Sequence, residues 1–186
     1  MSKLVFGIGL PQTGNQRLAE HLRQQGYKPR EGANWSSAVA LEYLSRGEQR
    51  ILVDCLRDGY DSWTGWPFVC YRKLFARYPE AKYVLTVCGS LAEWTERWGK
   101  WRESVLETKD PGMAMSMPLL SATLAHVFGD ENPSLGHAAD VYERHNAAVE
   151  KFMQESGAKE FVVLNLDSRR AERVLNRFLP PKEGTG

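Results

Sequence analysis

The segment Gly9-Leu10-Pro11-Gln12-Thr13-Gly14-Asn15-Gln16 carries the clearest chemistry in the chain. Its glycines have GxxxxG spacing, and it joins a short apolar run to a helical pattern. Such a loop suits anions. Glycines let backbone N–H groups turn inward, and the helix N-terminus adds partial positive charge. A nucleoside-triphosphate loop continues with Lys and then Ser or Thr. Here Asn15 and Gln16 stand in those places and supply neither a cation nor a hydroxyl for magnesium. A dinucleotide reading also fails, because Gly7-x-Gly9 is followed by Gln12 where a third glycine is needed. A tight strand-to-helix turn without a ligand is the competing reading of the same spacing.

His145 lies on the apolar stripe of a long helical pattern with Val141, Tyr142, Val149 and Phe152. It is either a buried, satisfied histidine or a general base near a ligand. Cys88 ends an apolar, β-branched run. It replaces a polar group there, or becomes a reactive thiolate if cations lower its pKa. Trp94, Trp98 and Trp101 recur at i, i+4 and i+7, which makes them core, an aromatic wall for a substrate, or a subunit interface. Met113, Met115 and Met117 alternate with small residues before Pro118, as gap-fillers or as an adaptable flap. Asp58, Asp61, His126 and His137 lack metal-ligand spacing, so no metal site is expected. No GxSxG element is present either.

The composition narrows the function classes. With 24 Lys+Arg against 23 Asp+Glu, the formal charge of +1 lacks the basic excess of a general nucleic-acid binder. The chain is 42% hydrophobic and 25% charged over 186 residues, which suits one folded domain with a sizeable core. No apolar run approaches the ~18–20 residues of a membrane helix, and the N-terminal run is too brief for a signal peptide. Cys55, Cys70 and Cys88 are sparse and odd in number, fitting a reducing cytoplasm.

The elements that must position these residues follow from pattern. Leu4–Gly9 reads as a strand buried on both faces, and Asn15–Gln25 as a helix with Gly26 at its end. Val39–Arg57 reads as helical, Tyr60–Gly65 as a second strand and Val69–Arg77 as a short helix. Ala81–Val87 is the best strand, rich in β-branched and aromatic residues. Helices follow over Leu91–Glu107, Met113–Phe128 and Ala138–Glu155. Phe161–Leu166 is a last strand, and Ser168–Leu179 a closing helix capped by Ser168. Loops are expected around Glu31–Asn34, Lys109–Gly112 and Gly129–Gly136. Strands separated by helices imply a three-layer α/β domain, with a central parallel sheet of about four to five strands and helices on both faces. The domain spans 1–179, and residues 180–186 form a frayed tail. Ligands bind beyond the carboxyl ends of such strands, hence after Gly9, Gly65, Val87 and Leu166.

With these residues in place, the chain resembles the P-loop sulfotransferases, in particular their short microbial and eukaryotic branch. Gly9-Leu10-Pro11-Gln12-Thr13-Gly14-Asn15 is similar to that branch's Gly-Leu-Pro-Arg-Thr-Gly-Thr loop. The other landmarks run in order: Tyr60-Asp61, Trp66-Pro67, Tyr78-Pro79-Glu80-Ala81-Lys82, Leu85-Thr86-Val87, Trp94, then Tyr142, His145, Asn146 and Val149, and finally Phe178-Leu179.

The resemblance implies transfer of a sulfuryl group from 3′-phosphoadenosine 5′-phosphosulfate (PAPS) to a hydroxyl or amine. It places Pro11, Gln12, Thr13, Gly14, Asn15, Gln16, Cys88 and Arg97 at the cofactor; Trp66, Trp94 and Tyr142 are candidates for the acceptor and His145 and Gln12 for catalysis, the resemblance leaving His145 open between packing and a base role. The departures fall on that chemistry. The loop cation is Gln12, and the hydroxyl after the second glycine is Asn15. The arginine expected on the 3′-phosphate is Cys88, followed by Gly89 in place of an aspartate, and a serine on the same phosphate is Arg97. An acidic residue before the Trp-Pro is Gly65. Losing two cation–phosphate contacts costs about 3–6 kcal/mol, or ~10²–10⁴ in affinity.

Three functions therefore stand. The first is a cytoplasmic protein of this fold that has lost PAPS chemistry and uses its cleft for a different small polar ligand. For it no cofactor, nucleic acid or membrane partner is expected. The second is an active sulfotransferase that holds PAPS through Arg97, Arg17 or Arg102. The third is an interaction subunit, with the tryptophan stripe and methionine segment forming a homodimer or partner surface.

Overall fold

The computed structural model describes residues 4–31, 59–65, 69–106 and 121–182. Among them β1 (Val5–Gly7), β2 (Pro29–Glu31), β3 (Ser62–Thr64), β4 (Lys82–Val87) and β5 (Phe161–Asn165) form one sheet in the order β2-β3-β1-β4-β5. Every pairing is parallel. The accompanying helices are α1 (Asn15–Gln24), α2 (Tyr71–Arg77), α3 (Leu91–Leu106), α4 (residues 121–128), α5 (Leu135–Glu155) and α6 (Ala171–Phe178). No helix among the described residues is long and apolar enough to cross a membrane.

Alternation along the strands explains the layers, since successive side chains leave opposite faces of a sheet. Val5 and Val84 pack with Leu18 and Leu22 of α1 and with Ala171 and Leu175 of α6. Phe6, Ile8, Tyr83 and Leu85 pack on the other face with Leu74 of α2 and with Val149 and Met153 of α5. Helices thus cover both faces, as the strand–helix alternation predicts. A third cluster joins Leu10 and Cys88 to Trp94 and Trp98 of α3, Phe128 of α4, and Ala138 and Tyr142 of α5. Trp94 and Trp98 of the tryptophan stripe are wholly buried in this cluster, and Trp101 packs half-buried against it.

The strand order has one reversal. From β1 the chain runs to β2 and β3 on one side, then returns to β4 on the other. The order reverses between β1 and β4, the point where sheets of this kind take their ligands. The loop after Gly9 and the turn at Cys88 meet there.

Several boundaries differ from expectation. Pattern gives Pro29 and Arg30 no element and Glu31 a loop, yet Pro29–Glu31 is an edge strand paired to β3. The final helix starts at Ala171 behind Arg170, and Ser168 contributes its backbone carbonyl to Ala171 N–H rather than a side-chain cap. The long helix starts a turn earlier than expected, with the Ser134 side chain accepting from His137 N–H. Gly26 ends α1 as anticipated: at φ 79° it lets its own N–H reach Arg23 O and Tyr27 N–H reach Leu22 O. The tail beyond Pro180 is not loose at Lys182, whose N–H donates to Gln25 O and whose ammonium pairs with Asp61. The expected helix at Val39–Arg57, the methionines at 113, 115 and 117, Trp66-Pro67, and the loop Lys109–Gly112 lie outside the described residues.

Candidate functional site

The loop after β1 is held from below by its own carbonyls. Gly9 O and Leu10 O accept from Asn15 Nδ2 at 3.3 and 3.0 Å. Leu10 O also accepts from Thr13 Oγ1 at 2.7 Å. Pro11 O accepts from Trp94 Nε1 at 2.9 Å, and Gln12 O from the Cys88 thiol at 3.5 Å. In a trans peptide the N–H points opposite to the C=O. The N–H groups of Gln12 and Thr13 therefore lie on the far side of the loop from Trp94 and Cys88. Gln12 has φ 67°, the one positive-φ residue besides glycine among the described residues, and Gly14 has φ 100°. Turns of this kind between right- and left-handed backbone make N–H-lined concavities that suit anions. The first N–H of α1 to find a backbone carbonyl is that of Leu18, on Gly14 O at 3.0 Å. The N–H groups of Asn15, Gln16 and Arg17 are the donors that a helix start leaves without a partner inside the helix.

Gly9 is set by a close approach. A Cβ there would stand 2.1 Å from Thr86 Oγ1 and 2.6 Å from Thr86 O. Thr86 Oγ1 in turn lies 2.6 Å from Thr13 Oγ1 and 3.2 Å from Asn15 Oδ1. Two hydroxyl protons serve three links here, since Thr13 also donates to Leu10 O. The Thr13 and Asn15 side chains are thus spent on Thr86 and on the loop's own carbonyls. Asn15, at the place of the missing hydroxyl, ties the loop's carbonyls together.

The β4 end offers a ligand less. Cys88 N–H donates to Tyr142 Oη at 3.0 Å, and Gly89 N–H to Glu93 Oε2 at 2.9 Å. Ser90 Oγ accepts from Glu93 N–H at 3.1 Å, so Ser90 and Glu93 cap the start of α3. Burial pushes the Cys88 thiol up, against a smaller opposing pull from Arg97. That is the reverse of a reactive thiolate.

The residues expected to catalyse or to line the acceptor site sort differently. His145 donates from Nε2 to Ile8 O at 2.9 Å and stacks edge-on to Tyr71. Burial drives its pKa down. Through this bond His145 braces the β1 end. Trp94 is fully buried, stacked on Tyr142 with centroids 4.5 Å apart. Trp94 supports the loop through Pro11 O, and Tyr142 holds the end of β4 through Cys88 N–H. Gln16 is exposed at the start of α1, the Gln12 side chain is half-buried, and Trp66 lies outside the described residues.

Arg97 and Arg17, the nearest described arginines, are both engaged. Arg97 bonds Glu93 Oε1 at 2.5 Å and Asp167 Oδ2 at 2.6 Å. Arg17 pairs with Asp167 Oδ1 and donates to Leu166 O at 2.8 Å. The hydrogen bond from Arg97 holds the Asp167 carboxyl below the usual range, and Arg17 adds to this. Arg102 is turned away, donating to Asn132 Oδ1 at 2.7 Å. Asp167 went unmarked in the sequence, although it follows Leu166 at the predicted ligand edge. Among the described residues no group of three or more His, Cys, Asp or Glu side chains could hold a metal ion.

Comparison with known proteins agrees with this geometry. Residues 4–168 match the family model described as a sulfotransferase domain. No curated protein matches the chain.

Proposed function

We propose, since the chain belongs to the sulfotransferase family, that it keeps the family's anion-binding backbone but does not carry out ordinary sulfuryl transfer from PAPS. Its cleft at the β1–β4 edge instead takes a smaller polar ligand through one anionic group. The observation that carries this is the loop itself. Its carbonyls from Gly9 to Gln12 are bonded inward, while Gln12, Asn15, Gln16 and Cys88 bring no charge.

PAPS fits this arrangement poorly. The backbone suits one phosphate or sulfate group. A second phosphate near β4 would meet a buried thiol, N–H groups already given to Tyr142 and Glu93, and arginines already paired with carboxylates. Stabilising a transferring sulfuryl group needs charge placed in advance, and the described loop supplies backbone dipoles alone.

The test is calorimetric titration with adenosine 3′,5′-bisphosphate, the product that PAPS leaves. The parent should show no binding at micromolar concentration. Gln12→Arg restores one cation without touching the core and should gain about 10- to 150-fold, the worth of one charged hydrogen bond. Micromolar or tighter binding by the parent would refute the reading.

A further inference from the structure

We infer that Asp167 fills, from within the chain, the anion position between Arg17 and Arg97, and so excludes ligands that carry a second phosphate or sulfate. This rests on the reading of the loop as a site for one anionic group.

Two guanidinium groups from different helices, α1 and α3, converge on the two oxygens of one carboxylate. Like charges held this close need an anion between them, and planar guanidinium groups match the oxygens of carboxylate, phosphate and sulfate alike. The position adjoins the loop. Asp167 follows Leu166, whose Cδ1 would lie 2.9 Å from a Cβ on Gly14. Arg17 stands in the first turn of α1, next to the N–H groups of the helix start.

Asp167 is also fixed in advance. Its N–H donates to Asn165 Oδ1 at 2.9 Å, and Ser168 N–H to Asn165 O at 3.1 Å, so a turn presents the carboxylate to the arginines. A carboxylate delivered by its own backbone competes at the effective concentration of a short tether. A free phosphate group must displace it. Glu93 adds a second acceptor on Arg97 and deepens the exclusion. The side chains of Arg17, Arg97 and Asp167 are 55%, 36% and 37% exposed, so the bridge contributes little to folding and its removal leaves the fold standing. Asp167 is therefore a specificity-determining residue rather than a structural one.

The experiment titrates the parent, Asp167→Asn, and Asp167→Asn with Arg97→Gln with adenosine 3′,5′-bisphosphate at low ionic strength. Near-UV circular dichroism checks the fold, and Asp167→Ser serves as a second neutral variant. Asp167→Asn and Asp167→Ser should each bind at least about tenfold tighter than the parent. Adding Arg97→Gln should abolish the gain. Unchanged affinity in both neutral variants, or a gain that survives Arg97→Gln, overturns the inference. Tight binding by the parent would instead overturn the proposed function, so the two failures are distinguishable.

Discussion

Gly9→Ala isolates the contact that seats the loop. The Gly9 backbone does not lie in the left-handed region, so alanine meets no conformational objection and the clash is the whole effect. The new methyl would sit 2.1 Å from Thr86 Oγ1, 2.6 Å from Thr86 O and 2.8 Å from Thr13 Oγ1. Thr86 Oγ1 can rotate away at the cost of the bond it gives to Thr13 or Asn15. Thr86 O belongs to the β4 backbone and can recede only if β1 and β4 separate. Overpacking of this kind costs about 1–3 kcal/mol, and the one hydrogen bond that the Thr86 hydroxyl proton makes adds about 1 kcal/mol. Alanine's entropic gain over glycine returns about 0.4–1 kcal/mol. The expected net loss is about 1–3.5 kcal/mol, a large share of a typical domain's stability. Urea unfolding followed by tryptophan fluorescence measures it, with Gly136→Ala as the control. Gly136 lies near the start of α5 with nothing within 4 Å of its would-be Cβ, so that change should be neutral or stabilising by up to about 1 kcal/mol. A Gly9→Ala loss below about 1 kcal/mol would refute the close-approach argument.

Trp94→Phe keeps a ring against Tyr142 but removes the donor to Pro11 O. It should cost about 2–4 kcal/mol, and a loss under about 1 kcal/mol would show that the indole N–H does not anchor the loop. His145 is neutral in the folded protein because burial lowers its pKa. The unfolded chain therefore takes up the proton first as pH falls. Stability from this residue is full above the ordinary value of about 6.5 and is lost as pH drops from there towards the lowered folded value. Buried His21, also shifted down by burial, acts with the same sign. Urea unfolding at pH 7.5 and 5.5 should show a smaller acid-side loss in His145→Gln than in the parent; equal losses would contradict the assignment.

Much of the site's frame was legible in the residues. The loop after β1 announced itself because glycine spacing and an apolar run are local properties. The long helix with Tyr142 and His145 was legible for the same reason: a stripe at helical spacing must face something apolar. β2 was not legible. Pro29-Arg30-Glu31 has no apolar alternation and is a strand only because β3 presents an edge that it can pair with. The tryptophan spacing marked one helix face without saying what lay opposite. That proved to be Tyr142 and the underside of the loop.

From sequence alone came the α/β alternation, the glycine loop after β1, and the uncharged residues at Gln12, Asn15, Gln16 and Cys88. Each follows from residue type and short-range spacing, which survive in any description of the chain. Only the folded sheet decided that Asp167 meets Arg17 and Arg97, and that Trp94 and Cys88 hold the loop carbonyls. Those partners lie 150, 70, 83 and 76 positions apart. The order of parallel strands, not any local pattern, brings such distant turns to one edge, because it sets which strand ends are neighbours.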